Sequence, residues 1–387
     1  MDTNFLYGGN WATFFIAAII VSFASIFLSY IIDTVGKRTK FSGSLFAGTI
    51  VALISSLPEL TMSLVNIFTD QKEGYALALG NLMGGNIFRT MIFAALSLLF
   101  IYSMRKAKTT FAQFFLVTIQ IILTIGFLFN YMFYDKYTSE WNWPIIAWIG
   151  IDILAIVFYI VNLFVMMKTD KNDTFEEPLV FDETKSKYNF IINKIHAIRK
   201  WLMKTKIRNV WFSFIVISFV IIGCSLMMGL NMDWIIASIV KDTGNNSESF
   251  LASIFGGMVT SIPEIITIIT LLKIGDVDAA VSDVLGSNIF SCLIIGVEEL
   301  ISGKDVGVAT TNWDLPGLSI ITFWFIIELV LILSALIIIY IYRVKKIKHN
   351  HVYFGIIGTI LILCIGTYIM YILQNINIIP NFLLLKH

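Results

Sequence analysis

Long apolar segments without charged residues recur along this chain and constrain its fold more than any other feature. Residues 5–32, for example, contain no acidic or basic side chain. Charged residues make up 14% of the 387 residues, whereas they average about 25% in soluble globular domains. An apolar run of about 18 residues or more is long enough to cross a bilayer as a helix. The sequence therefore predicts an α-helical protein that crosses a membrane many times.

The apolar segments predict an all-α polytopic membrane protein with about ten transmembrane helices. The predicted helices cover residues 11–32, 41–68, 75–101, 110–133, 144–167, 209–240, 250–272, 277–301, 316–342 and 352–374. They divide the chain into two halves of five helices, residues 1–167 and 209–387, which are joined by a polar connection at residues 168–208.

The distribution of Lys and Arg residues predicts the orientation of the chain in the membrane. Most basic side chains fall in alternate connections, such as residues 37–40, 168–208 and 343–348. Connections that are rich in Lys and Arg face the cytoplasm. Because the predicted number of helices is even, both termini are expected on the non-cytoplasmic side.

Cysteine labelling tests this orientation. With the native cysteines replaced, we expect single cysteines at Lys72 and Lys304 to react with an impermeant thiol reagent from outside the cell. A cysteine at Lys185 should react only after permeabilisation, because it lies in a connection predicted to be cytoplasmic. Labelling of all three positions from one side would contradict the inverted arrangement of the two halves.

The connection at residues 168–208 has an acidic first part and a basic second part. In the second part, Ile191, Ile195, Ile198 and Leu202 recur at helical spacing among Lys and Arg residues. This pattern is typical of a helix that lies on the inner membrane surface and is attracted to anionic lipid. A solvated linker helix has the same pattern.

Two compound motifs recur in the two halves of the chain. Residues 47–64, AGTIVALISSLPELTMSL, align without gaps with residues 252–269, ASIFGGMVTSIPEIITII. Further on, LGNLMGGNIFR at 79–89 aligns with VSDVLGSNIFS at 281–291. The matching helices are five apart, an odd number, so the copies are predicted to cross the membrane in opposite directions. Inverted repeats of this kind are typical of secondary transporters, whose substrate site lies where the repeats meet.

Each repeat carries one glutamate near the middle of an apolar helix, Glu59 in the first and Glu264 in the second. A charge at that depth costs at least about 2.5–3.5 kcal/mol, so it needs a partner, a proton or a water-filled cavity. Pro58 and Pro263 lack an N–H group and are expected to kink these helices, which frees backbone carbonyls. Two carboxylates balance the charge of one divalent cation.

Hydroxyl and amide side chains surround the two glutamates in the sequence and add the oxygen ligands that calcium and sodium prefer. They are Ser55, Ser56, Asn86, Thr260, Ser261 and Asn288. The neighbouring glycines, such as Gly85 and Gly286, allow helices to approach closely. Close helix packing alone would also explain these small residues.

The motifs resemble the two alpha repeats of the sodium/calcium exchanger family, within the calcium/cation antiporter superfamily. The resembling segments are SSLPE with GNLMGGNIF, and TSIPE with DVLGSNIF. The resemblance implies a helical inverted-repeat fold over nearly the whole chain. It also implies that transported ions are bound by Ser55, Ser56, Glu59, Thr260, Ser261, Glu264 and Ser287.

The chain departs from the family pattern at four positions. Arg89 and Ser291 stand where the family often has Asn or Asp, and the Gly-Asn dipeptide of the second repeat is replaced by Ser282 and Asp283. If Arg89 faces the site, it adds a permanent positive charge. We predict that it pairs with Asp283 or a glutamate and replaces one transported monovalent ion; the alternative is that it extends toward the membrane surface.

The sequence therefore predicts an antiporter that moves calcium against sodium by alternating access. A calcium/proton exchanger is the closest alternative, and an uncoupled divalent cation channel is an alternative of another class. An enzyme is not predicted, because no nucleophile–base pair or paired aspartates occur at matching depth. The net charge of +1 gives no basic surface for nucleic acid. The expected partners are the lipid bilayer and inorganic cations, and no cofactor is expected.

Overall fold

The computed structural model describes residues 11–39, 43–69, 74–99, 111–137, 143–169, 198, 200–243, 256–302 and 365. Within these residues the chain is helical and contains no strand, as predicted. The two helices predicted at 316–342 and 352–374 lie outside the described residues, apart from residue 365, which is helical.

The helices are numbered here in chain order. They are α1 (Trp11–Arg38), α2 (Gly43–Phe46), a π-helical turn (Ala47–Val51), α3 (Ala52–Ser55), α4 (Leu57–Thr69), α5 (Gly74–Leu99), α6 (Phe111–Tyr137), α7 (Trp143–Thr169), α8 (Ile207–Thr243), α9 (Gly257–Thr260), α10 (Ile262–Ile274) and α11 (Val277–Ser302).

The helices predicted at 41–68 and 250–272 are each interrupted beside the proline, as the predicted kinks required. The breaks fall at Ser56 (φ −88°, ψ 11°) and at Ser261 (φ −81°, ψ 1°). These angles belong to the sparsely populated bridge region. Pro58 and Pro263 lie in the first turn of the helix after each break, where the missing N–H costs no hydrogen bond. The proline thus starts a new helix in each repeat.

The two repeats interlock around the broken helices. The first helices of the halves, α1 and α8, pack along each other, and each also packs on the broken helix of the other half, α1 on α10 and α8 on α4. In the same crosswise manner, α11 packs on the π-helical turn and α5 packs on α9. Each half therefore supplies one wall of the centre of the molecule.

Large apolar side chains face outward along α1, α7 and α8. Phe15, Phe23, Phe164, Phe212 and Phe219 are each more than half exposed. A contiguous apolar exterior of this kind marks a surface that contacts lipid. Three of the described helical segments are long and apolar enough to cross a membrane by themselves, namely Trp11–Arg38, Ile207–Met232 and Val277–Leu300.

Helix α1 continues six residues beyond its predicted end. Buried Asp33 pairs with Lys37 one turn later, so these polar residues extend the helix and do not end it. Arg38 donates hydrogen bonds to the carbonyls of Leu202 and Thr205. Leu202 is fully buried in the apolar core. This part of the predicted amphipathic helix, residues 188–208, therefore packs on the protein; its residues 188–197 and 199 lie outside the described residues.

Candidate functional site

Glu59 and Glu264 lie at the centre of the molecule, in the first turns of α4 and α10. Both side chains are fully buried. The N-terminal end of a helix carries a partial positive charge that stabilises a carboxylate. The break that the proline imposes thus places each carboxylate where the backbone itself favours a negative charge.

Each glutamate accepts a hydrogen bond from the other repeat. The Ser56 hydroxyl donates to Oε1 of Glu264 at 3.0 Å, and the Ser261 hydroxyl donates to Oε1 of Glu59 at 3.2 Å. These serines are the residues at which the two helices break. The two contacts are related by the repeat symmetry, so the breaks and the carboxylates form one site between the halves.

Arg89 of α5 lies between the two glutamates and is fully buried. Its Nη1 donates to Oε1 of Glu59 at 2.9 Å and lies 3.5 Å from Oε1 of Glu264. The predicted pairing of Arg89 with a glutamate is therefore confirmed. The alternative that Arg89 extends toward the membrane surface is wrong, because the side chain points into the centre of the protein.

Neutral oxygens hold the rest of the guanidinium group. Nη2 donates to Oδ1 of Asn86 and, at 2.8 Å, to Oγ of Ser291. Nε donates to Oδ1 of Asn288 at 3.2 Å, and the amide of Asn288 donates in turn to Thr90. All three guanidinium nitrogens thus have oxygen partners, and these come from both repeats.

Asp283 does not pair with Arg89, contrary to the other pairing that the sequence allowed. Within the described residues its two carboxylate oxygens are buried and have no hydrogen-bond partner. Asp283 nevertheless lies within electrostatic range of both Arg89 and Glu264. Its repeat counterpart, Asn81, accepts a hydrogen bond from Thr260 at 3.2 Å.

Several buried oxygens of the site remain without a partner among the described residues. They are Oε2 of Glu59, Oε2 of Glu264, both carboxylate oxygens of Asp283 and Oγ of Ser287. A buried acceptor without a donor is costly, and a cation is the partner that satisfies several at once. No three Asp, Glu, His or Cys side chains in the described part of the chain converge closely enough to hold a metal. A cation here therefore also needs hydroxyl or amide oxygens.

Two of the predicted ligands, Ser55 and Thr260, also hydrogen-bond to backbone carbonyls of the preceding turn, and Thr260 contacts Glu59 as well. The Ser55 hydroxyl is buried and donates to the carbonyl of Ala52 at 3.3 Å. The Thr260 hydroxyl lies between the carbonyl of Gly256, at 2.9 Å, and Asn81. Asn81 and Thr90 are not among the ligands predicted from the sequence. The signal that could have identified Asn81 is its alignment with Asp283.

Glycine contacts hold the two repeats together on both sides of the site. A Cβ at Gly286 would lie 2.2 Å from the carbonyl oxygen of Gly48, and one at Gly257 would lie 2.6 Å from the carbonyl carbon of Gly84. A Cβ at Gly85 would lie 3.2 Å from the Ser261 hydroxyl. The expected close approach of helices is thus observed, and it brings the backbones of opposite repeats into contact.

Comparisons with known proteins agree with this geometry. The family model described as sodium/calcium exchanger protein matches residues 9–168 and 209–376. No curated protein matches the chain.

Solved structures with the same fold include exchangers of two kinds. The H+/Ca2+ exchanger CAX is 14% identical, with a TM-score of 0.57, and the match covers 95% of this chain and 89% of that one. Native YfkE is 15% identical, with a TM-score of 0.54 and coverage of 93% and 92%. The sodium-calcium exchanger NCX_Mj is 14% identical, with a TM-score of 0.52 and coverage of 94% and 97%.

Proposed function

Because the chain belongs to the sodium/calcium exchanger protein family, we propose that it is a secondary antiporter that exchanges calcium for sodium. The family assignment and the fold make it a multi-pass membrane cation exchanger. The choice of sodium as the driving ion and the assignment of the ligands belong to the proposal.

The proposal rests on one observation, the reciprocal contact between the breaks of one repeat and the carboxylates of the other. Ser56 bonds Glu264 and Ser261 bonds Glu59, and each carboxylate has a buried oxygen with no partner in the described part of the chain. Two carboxylates with neighbouring hydroxyls are hard oxygen ligands of the kind that calcium and sodium share. One site can therefore take either ion in turn, which is what exchange requires.

The position of this site between the repeats supports alternating access. Its two glutamates and the serines that contact them lie at the break before α4 in the first half and at the break before α10 in the second. Rocking of one repeat against the other would expose such a site first to one side of the membrane and then to the other. The same rocking movement carries calcium in one direction and the second cation in the other. A calcium ion can therefore be exported only when another cation returns.

Calcium/proton exchange is the second candidate, and a solved H+/Ca2+ exchanger has the same fold. In that case Glu59 and Glu264 would carry protons on the return step. We favour sodium because Oγ of Ser287 and Oε2 of both glutamates lack a partner among the described residues and together offer several oxygens; a sodium ion needs several oxygen ligands, whereas a proton needs only one carboxylate.

Flux measurements in proteoliposomes test the proposal. We expect purified protein to drive calcium uptake when sodium is loaded inside and diluted outside, with no uptake in protein-free liposomes. A proton gradient without sodium should give no uptake above that background. Uptake with the proton gradient alone would overturn the sodium assignment in favour of proton exchange, and uptake along a calcium gradient without any counter-ion would favour a channel.

A further inference from the structure

Arg89 places a permanent positive charge inside the site where the transported cations would bind. Its guanidinium contacts Glu59 and lies 3.5 Å from Glu264, so it already occupies part of the carboxylate surface. Arg stays protonated in proteins. Any cation that enters the site must therefore share these carboxylates with the guanidinium.

The guanidinium is anchored independently of the two glutamates. Asn86, Asn288 and Ser291 accept hydrogen bonds from Nη2 and Nε. Arg89 approaches Oε1 of each glutamate, and Oε2 of both has no hydrogen-bond partner among the described residues. A transported ion can then bind at the unpartnered oxygens while Arg89 keeps its place.

The repeat symmetry shows what Arg89 replaces. The residue at the matching position of the second repeat is Ser291, and the matching residue of Gly85 is Ser287. A Cβ at Gly85 would lie 3.6 Å from Nη1 of Arg89. At these two positions the first repeat has a guanidinium and a glycine, whereas the second repeat has two hydroxyl side chains. The guanidinium thus brings a fixed positive charge to a position that is neutral in the second repeat.

Asp283 compensates for this extra charge. It stands where the first repeat has Asn81, is fully buried and lies within electrostatic range of Arg89. Three carboxylates and one guanidinium give the site a net charge of −2. Uncompensated charge is costly in a buried site, so occupancy by one divalent or two monovalent cations is favoured.

We propose that Arg89 is a resident, non-transported cation that holds the net charge of the site at −2. One calcium ion then exchanges for two monovalent ions without net charge movement. The inference rests on the proposed exchange function, and it holds for either sodium or protons. It predicts that the membrane potential has no influence on the equilibrium calcium gradient. A tenfold sodium gradient then supports a hundredfold calcium gradient at any potential.

The test is the equilibrium calcium ratio in proteoliposomes, measured with the potential clamped by valinomycin at 0 and −100 mV. We expect the same ratio at both potentials for the wild-type protein and for Arg89→Lys, which keeps the charge. Arg89→Asn leaves a site charge of −3, so one further monovalent ion should be exchanged. The ratio should then change by about 50-fold per 100 mV, because one net charge crosses the membrane.

Two further variants control for nonspecific effects. The double variant Arg89→Asn/Asp283→Asn restores a site charge of −2 and should again be insensitive to the potential. Arg38→Asn removes an arginine outside the site and should also leave the wild-type insensitivity unchanged. A wild-type ratio that depends on the potential overturns the inference alone, whether or not the variants are active. Absence of calcium flux under both sodium and proton gradients overturns the proposed function and the inference with it.

Discussion

Replacing either central glutamate by glutamine should abolish calcium exchange while the protein still folds and inserts. Glu59→Gln and Glu264→Gln keep the shape of the side chain and its acceptor for the serine of the opposite repeat. Each substitution removes one negative charge. The net charge of the site, with Arg89 included, then changes from −2 to −1. Loss of one partner of a buried charge pair in binding costs about 2–5 kcal/mol, which corresponds to a loss of calcium affinity of at least about 30-fold.

Calcium uptake in proteoliposomes measures this effect, and size-exclusion chromatography in detergent checks that each variant is folded. Glu299→Gln is the matched control, because Glu299 is also buried, lies on α11, and is two helical turns beyond Ser291. We expect it to retain exchange. Wild-type uptake by a folded Glu59→Gln or Glu264→Gln protein would remove that residue from the mechanism.

Local features of the sequence predict where the helices and their interruptions lie along the chain. The apolar runs predicted the helices, and the two prolines predicted a disturbance beside each glutamate. The structure places that disturbance at a single residue in each repeat, because the bridge-region angles of Ser56 and Ser261 separate one helix from the next. Backbone angles of this kind depend on the packing around the break.

Contacts between the repeats could not be predicted from the sequence. A four-residue spacing placed Arg89 on one helix face, but only the packed structure shows that this face meets Glu59. The exchange of serine contacts between repeats likewise requires the relative position of two helices that lie about two hundred residues apart along the chain. The spacing of residues in a sequence describes the faces of one helix at a time, whereas the residues of this site lie on four helices.

Asp283 shows how partial agreement with a family pattern can inform the chemistry. The alignment of the repeats marked it as an added acid, and Arg89 as an added base. Direct pairing of Arg89 with Asp283 was one of the possibilities that the sequence allowed. In the structure, Arg89 binds the glutamates and neutral oxygens, and Asp283 keeps both carboxylate oxygens without a partner among the described residues. The two departures balance in charge without forming an ion pair.

A methyl group at the contact between the repeats should have the largest effect on stability. In Gly286→Ala the new Cβ would lie 2.2 Å from the oxygen and 2.7 Å from the carbon of the Gly48 carbonyl. These are backbone atoms, so no side chain can rotate away and the π-helical turn must separate from α11. Overpacking typically costs about 1–3 kcal/mol, and we expect a loss of at least this size. Separation of these helices should also reduce calcium exchange, because Ser287 is the next residue on α11.

Gly223→Ala is the matched control, because a Cβ at Gly223 meets no atom within 4 Å. Alanine favours a helix over glycine by about 1 kcal/mol, so this variant should be as stable as the wild type or slightly more stable. The measurement is the temperature at which half of the purified protein is lost from the monodisperse peak after heating in detergent. Gly286→Ala should lower this temperature by several degrees and Gly223→Ala should not. Equal temperatures for the two variants would show that the backbones of Gly48 and Gly286 do not need to touch for the repeats to stay together.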